Sequence, residues 1–276
     1  MQNLARFSTM VVAGALAAGL TVGCSDFTGT GERGTLTVLL TDAAGDMLDS
    51  ATIYVSEVYV IGGNGTSGPR HTISDTAAVY NLLDFQGGVT TLLGSADIPV
   101  GNYHQLRLVV DSARAVLKPV YSFADGSSAA SLTVPSGDAS GLKVNFAGPV
   151  HVSSGETVLV VDFDVERSFV FQGSVGNPIS VSFKPVIHAV VMDMAGSISG
   201  TITPNDSQAQ VFAIVGVDTV GSAMADPQSG EYTIHFVPPA TYTVAASAAG
   251  FQPSEVTGIV VADGEDVTGV DLTLSP

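Results

Sequence analysis

The segment EYTIHFVPPATYTVAAS, residues 231–247, decides the architecture. Tyr232, Ile234 and Phe236 alternate with Thr233 and His235, and Tyr242 and Val244 alternate with Thr241 and Thr243 beyond the Pro238-Pro239 break. A period of two sends successive side chains to opposite faces, so the segment reads as two half-buried strands, Tyr232–Val237 and Thr241–Ala246, around a proline corner. The same alternation spreads outward to 197–203, 210–215 and 267–274. It also runs through 36–40, 53–61, 105–111, 142–146, 158–171 and 181–192. Turn-forming clusters such as Gly62-Gly63-Asn64-Gly65 and Ala124-Asp125-Gly126 separate these runs. Helical spacing is nearly missing, so the expected fold is all-β.

Charge divides the chain. The 276 residues hold 9 Lys plus Arg against 26 Asp plus Glu, a net charge of -17, which repels phosphate backbones and argues against a nucleic-acid partner. From Ala195 to Pro276 there are nine acids and no Lys or Arg, whereas basic residues persist before that point. This shift sets a boundary near Gly196 and predicts two tandem β-sandwiches, 35–194 and 196–276, each long enough for its own core. A hydrophobic share of 45% argues against disorder. The single cysteine forms no internal disulfide and no Cys-rich zinc site.

That cysteine follows an export signal. Arg6 supplies the positive start, and Phe7–Gly23 is uncharged and rich in Ala, Val, Gly and Leu, so residues 1–23 read as a signal peptide. The run Leu20-Thr21-Val22-Gly23-Cys24 resembles the lipobox of bacterial lipoproteins, with Thr21 where that family prefers Leu. The resemblance implies acylation of Cys24, and two or more acyl chains give stable anchoring. Residues 24–34 then form a lipid-anchored tether, of which Ser25–Gly34 reaches at most about 35 Å when extended. By the family's sorting pattern, Ser25 directs the protein to the cell envelope at the outer membrane.

Two further resemblances concern the folded parts. GSISGTIT (196–203), DPQSGEYTIHFVPPATYTVAASAAGFQP (226–253) and TGIVVADGEDVTGVDLTL (257–274) resemble the carboxypeptidase regulatory-like family. Gly230, Tyr232, Pro239, Tyr242, Gly250 and Phe251 fall at the family's marked positions, while Ala240 stands where the family turns on Gly. The resemblance implies a transthyretin-like (prealbumin-like), non-catalytic sandwich of the carbohydrate-binding-like set. GTLTVLLTDAAGD (34–46), YNLLDFQGG (80–88), IPVGNYHQLRLVV (98–110), VPSGDASGLKV (134–144), VVDFDVERS (160–168) and FKPVIHAV (183–190) resemble a family of no known activity, domain of unknown function 4382. IPVGNYHQLRL echoes VPPATYTV, which suggests one plan beneath both domains.

Chemistry is sparse. Common enzyme signatures are missing, and His71, His104, His151, His188 and His235 never stand at metal-ligand spacing, so they are expected on sheet faces. Asp162, Asp164 and Glu166 are the best candidates for cation or ligand contacts. On one continuous strand they share a face, and such a row asks for compensation by calcium or by Arg107, Arg114, Lys143, Lys184 or Arg167. Sugar-binding modules favour flat aromatic platforms, most often Trp, of which there is none. Among Tyr54, Tyr103, Tyr121 and Tyr232, Tyr121 is the sugar-stacking candidate.

The reading that results is a non-enzymatic envelope lipoprotein, a binding or scaffold module for an envelope protein or glycan. The alternatives are a carbohydrate-binding module or accessory subunit of a surface glycan-processing system, and a calcium-dependent adhesion module. An enzyme acting on surface glycans would bring the carboxylates together with a histidine or a third acid in a cleft; a scaffold would leave them on an open sheet face.

Overall fold

A computed structural model describes residues 31–43, 47–62, 68–134, 140–174 and 176–276. The signal peptide, Cys24 and most of the tether lie outside the described residues. The strands of the first part, in chain order, are β1 (Arg33–Ala43), β2 (Leu48–Gly62), β3 (Arg70–Ser74), β4 (Ala78–Asn81), β5 (Thr91–Pro99) and β6 (Gly101–Leu117). They continue as β7 (Ala129–Leu132), β8 (Leu142–Val152), β9 (Glu156–Asp164), β10 (Phe169–Ser174), β11 (Asn177–Phe183) and β12 (Ile187–Val191).

One sheet has the order β12-β9-β1-β5, with β1 and β9 parallel, and it faces a second sheet of order β3-β2-β6-β7 to which β4 and β8 attach. Leu36, Val38 and Leu40 from β1 and Leu159, Val161 and Phe163 from β9 point into this core, where all are buried. Phe183 of β11 packs on Phe163 and Phe169, with ring centroids 5.9 and 5.1 Å away, closing one end of the core.

β2 and β6 are long for strands and hold one face inward only because both bulge. Between Val55 and Glu57 the ladder slips past Ser56, and between Ser112 and Val110 it slips past Asp111. The extra residues shift the inward set of β2 from Ala51, Ile53 and Val55 to Val58 and Val60, and that of β6 from Leu108 and Val110 to Ala113 and Ala115. The Ser56 hydroxyl donates to Asp111 Oδ1 at 2.7 Å across the irregularity.

Two runs expected as single strands are broken. The run 158–171 stops at Asp164, because Asp164 Oδ1 accepts from the Arg167 backbone N–H (2.9 Å) and Asp42 Oδ1 accepts from that of Val165 (3.2 Å), fixing the helical turn α1 (Val165–Ser168). The run 181–192 breaks at Lys184-Pro185-Val186, where proline offers no ladder donor.

The second part contains β13 (Gly196–Thr203), β14 (Gln210–Val215), β15 (Asp218–Met224), β16 (Glu231–Val237), β17 (Ala240–Ser247), β18 (Ser254–Val261), β19 (Asp266–Val267) and β20 (Leu272–Thr273). The run expected at 267–274 is therefore only the two short pieces β19 and β20, both parallel to β13. Sheet β16-β13-β19, with β20 also on β13, faces β15-β14-β17-β18 across a second core containing Ile198, Ile202, Val211, Tyr232, Ile234, Tyr242 and Val244. The protein is an all-β chain of two sandwiches, the second transthyretin-like.

The echo between the two domains is physical. Tyr103 OH donates to Pro99 O at 2.7 Å, and Tyr242 OH donates to Pro238 O at 2.5 Å, each reaching four residues upstream from a buried ring. Each pair ties the corner before a strand to that strand, as a tyrosine corner does in other sandwiches. Tyr242→Phe keeps the ring and leaves the Pro238 carbonyl without this donor, which costs about 1–3 kcal/mol. We expect melting to fall by roughly 2–10 °C in a calorimetric scan; an unchanged transition would remove the corner from the stabilising interactions.

Candidate functional site

The side chains that carry chemistry gather where the second sandwich covers the outer face of the β12-β9-β1-β5 sheet. Alternation places Thr41, Val160, Asp162, His188 and Val190 on that face, with Thr41 and His188 in direct register with Asp162 from either side. Arg167 Nη1 crosses to donate to Thr219 O at 2.9 Å. Two cavities lie along the junction. One, of about 510 Å³, is bordered by Asp42, Asp162, Ser222, Asp226, Glu231 and His235. The other, of about 500 Å³, is more apolar and is bordered by Phe146, Val160, His188, Val190, Val220 and Pro238. Asp162 and Phe236 border both.

The three expected carboxylates do not form one row. Glu166 lies on the α1 turn and is exposed, because capping by Asp164 ends the strand before it. Asp164 is buried and committed to the cap. Asp162 remains at the junction, joined there by an acid the sequence reading did not single out, Asp42. Asp42 is the penultimate residue of β1, aligned with Phe163 and so on the core-facing side, but at the strand end it also borders the larger cavity. Of the expected basic partners, Arg167 is the one whose charge reaches Asp164, while Arg107 is spent on Gln105, Ser140 and Gly141 in the other sheet.

Burial dominates the protonation of this cluster. It raises the Asp162 carboxyl from 3.8 to about 7, helped by the charge of Asp164. Asp42 is pushed well above its ordinary value by burial and then by Asp162, against the opposing hydrogen bond from Val165 N. The Gln86 amide sits close enough to favour the ionised form slightly, yet Asp42 Oδ2 has no partner in hydrogen-bonding geometry. Asp164 is raised by burial, tempered by Arg167. His188 is held neutral by burial and by Arg167, and His235 by burial. Both histidines lie on strand faces, as expected, but on faces that border the junction cavities.

Two backbone features shape the cavities. Phe236 has φ = 54°, a left-handed conformation costly for an aromatic residue, and it ends the alternation of β16 so that Val237 turns inward instead. Gly88 has φ = 84°, and a Cβ there would stand 3.1 Å from the His235 ring, so glycine permits the first domain to approach that histidine.

The tyrosines are poorly placed for stacking. Tyr121 is half-buried against the first core, Tyr103 is tied to its corner, and Tyr232 is buried with its hydroxyl on Val270 O at 2.5 Å. Tyr54 is the most open of the four, at 38% exposure. Among the described residues no group of three or more His, Cys, Asp or Glu gathers at metal-binding distance.

Fold and junction together define a tandem β-sandwich protein with a cleft between its two halves. The chain belongs to the family described as Domain of unknown function (DUF4382), whose model matches residues 33–185. Residues 197–275 match the Carboxypeptidase regulatory-like domain. No relative was found among curated proteins. Among solved structures, the chain is similar to a type II cohesin–X-dockerin complex from Acetivibrio cellulolyticus, with 24% identity over 28% of this chain and a TM-score of 0.23. It spans 56% of that structure's chain. The TIE protein of Bacillus anthracis (9% identity, 88% of this chain, 34% of that one, TM-score 0.24) is also similar. So is the shaft pilin SpaA of Lactobacillus rhamnosus GG (11% identity, 90% and 98%, TM-score 0.20). At these scores nothing about partners passes to this chain.

The raised Asp162 carboxyl makes stability depend on pH. Between about pH 4 and 7 the folded chain keeps a proton that the unfolded chain has lost, so stability falls as pH rises through that window, by up to about 4 kcal/mol from this group. Asp162→Asn should flatten part of this slope and raise the melting temperature at pH 8 by roughly 5 °C or more, with little effect at pH 4. A difference between variant and wild type that does not change with pH would refute this assignment.

Proposed function

We propose that this chain is a non-enzymatic binding module of the cell envelope, held to the membrane through acylated Cys24 and presenting the junction cleft to its ligand. The observation that carries the reading is the covering of one sheet face by the second sandwich, which leaves two cavities sharing Asp162 and Phe236. Small-molecule and cofactor sites favour domain interfaces, where apolar walls surround a few convergent polar groups. Some of the groups here are committed structurally, Asp42 Oδ1 and Asp164 to the backbone of α1 and Arg167 to Thr219 O, while Asp42 Oδ2, Asp162 Oδ1 and Ser222 Oγ are left for a ligand. That arrangement suits recognition better than turnover.

The lipid anchor rests on the run ending at Cys24, and the outer-membrane address rests on Ser25. Cell fractionation tests the anchor. Cys24→Ala should move the protein from the membrane pellet to the soluble fraction, and retention in the pellet would defeat the anchoring.

A second reading is favoured by one specific observation. Asp162, with a carboxyl near neutrality, lies in a cleft with a second acid, Asp42, and beside His188, which is the carboxylate–histidine convergence expected of a site acting on glycans. Incubating the purified protein with cell-surface polysaccharide and assaying new reducing ends separates the readings. The binding module predicts none; release that is lost in Asp162→Asn would make the protein an enzyme.

A further inference from the structure

Among the described residues, six buried side-chain polar atoms lack a hydrogen-bond partner: Asp42 Oδ2, His104 Nε2, Asp162 Oδ1, His188 Nε2, Ser207 Oγ and Ser222 Oγ. Buried polar atoms are ordinarily paired, and unpaired ones are scattered. Here three of the six, on Asp42, Asp162 and Ser222, belong to residues bordering the single cavity of about 510 Å³. A fourth, on His188, belongs to the residue in register with Asp162. Asp42 is 5% exposed and Ser222 8%, so two of these side chains are more than nine-tenths buried, and one of the two is not an acid.

Charge narrows the guest. The cavity is bordered by Asp42, Asp162, Asp226 and Glu231, with no Lys or Arg among the described residues lining it. Of these acids, Asp226 is the one satisfied within its own turn, accepting from the Gln228 and Ser229 backbone N–H groups. Asp42 and Asp162 are the acids turned into the cavity, and at pH 8, above the raised carboxyl of Asp162, that group presents a charge a cation can meet.

Donor geometry narrows it further. A hard metal ion such as calcium seeks six to eight oxygens, and among the described residues no group of three or more His, Cys, Asp or Glu is placed to hold one. A primary ammonium carries one charge and three N–H donors, matching in number the Asp42 Oδ2, Asp162 Oδ1 and Ser222 Oγ acceptors. The volume exceeds what a lone ion fills, and Met224, Pro227 and Phe236 supply apolar wall for an alkyl chain behind the charged head.

We infer that the junction cavity is a binding site for a primary alkylammonium group, seated on Asp42, Asp162 and Ser222. The inference rests on the reading of this cleft as a ligand site, and it is independent of the Cys24 anchor. The ammonium comes either from a free amine or from a lysine side chain of a protein, and the two sources share the same recognition chemistry.

The test is calorimetric titration of the detergent-purified full-length protein at pH 8 with 1,5-diaminopentane. A lysine-containing peptide with a blocked N-terminus, tetramethylammonium and calcium chloride are titrated in parallel. The diamine should bind, with affinity reduced about tenfold or more in Ser222→Ala and in Asp162→Asn. Each variant's thermal transition is recorded to establish that it is folded. Tetramethylammonium, which has the charge without N–H donors, should not bind. A lysine peptide that binds at least as tightly as the diamine identifies a protein as the source; a diamine that binds more tightly identifies a free amine. The inference is overturned if neither amine binds up to about 10 mM, if tetramethylammonium binds equally, or if calcium binds and the amines do not. Calcium binding alone would keep the cleft as a ligand site while removing its ammonium specificity. Silence from all four probes would count against both.

Discussion

β9 is covered on both faces, and the rest of the junction depends on that. Leu159, Val161 and Phe163 enter the first core, while Val160 on the opposite face is only 1% exposed, beneath the second sandwich. A strand enclosed in this way is a near-continuous apolar run, as parallel strands usually are, and Val158-Leu159-Val160-Val161 is such a run. Asp162 interrupts it where this face borders both cavities. Its displaced protonation and the neutrality of His188 follow from where the second domain sits, since the same residues on a solvated face would titrate normally.

Much of the architecture is legible in residue order, because period-two alternation and turn chemistry are local. The strands around Tyr232 and Tyr242 and the proline corners can be read that way. What local pattern cannot supply is the partner that breaks a pattern. The 158–171 run looks continuous because Asp42, which accepts from Val165 N, lies 123 residues away in sequence. Glu166 drops out of the carboxylate row for that reason, and Asp42 enters the site for the same one. His188 and His235 were unremarkable for a related cause: spacing along the chain says nothing about a face that another domain covers. Phe236 gave a signal of a different kind, an aromatic residue directly before Val237-Pro238-Pro239, but the left-handed backbone there is a tertiary demand.

The two sandwiches share a device despite differing in topology. In each, a tyrosine hydroxyl reaches back to the carbonyl of a proline four residues earlier, so that the corner and the following strand are joined before wider packing is considered. In the first domain β6 continues from this corner into the longest strand among the described residues, and in the second β17 continues into the central pair with β14. The absence of glycine at Ala240 leaves this corner intact, because the constraint resides in the tyrosine and the preceding proline.

The parallel pairing of β1 with β9 also governs the order in which the first domain assembles. Thr37 hydrogen-bonds Glu156 across 119 residues of sequence, so during synthesis β1 emerges long before its neighbour exists. It meets β5 first, in an antiparallel ladder that leaves its other edge bare until β9 is made. The pairing is non-local, so completion of this sheet waits on chain made much later. Until then the chain exposes an unpaired, Leu- and Val-rich edge, the kind of surface that chaperones screen and that neighbouring chains pair with when left unguarded.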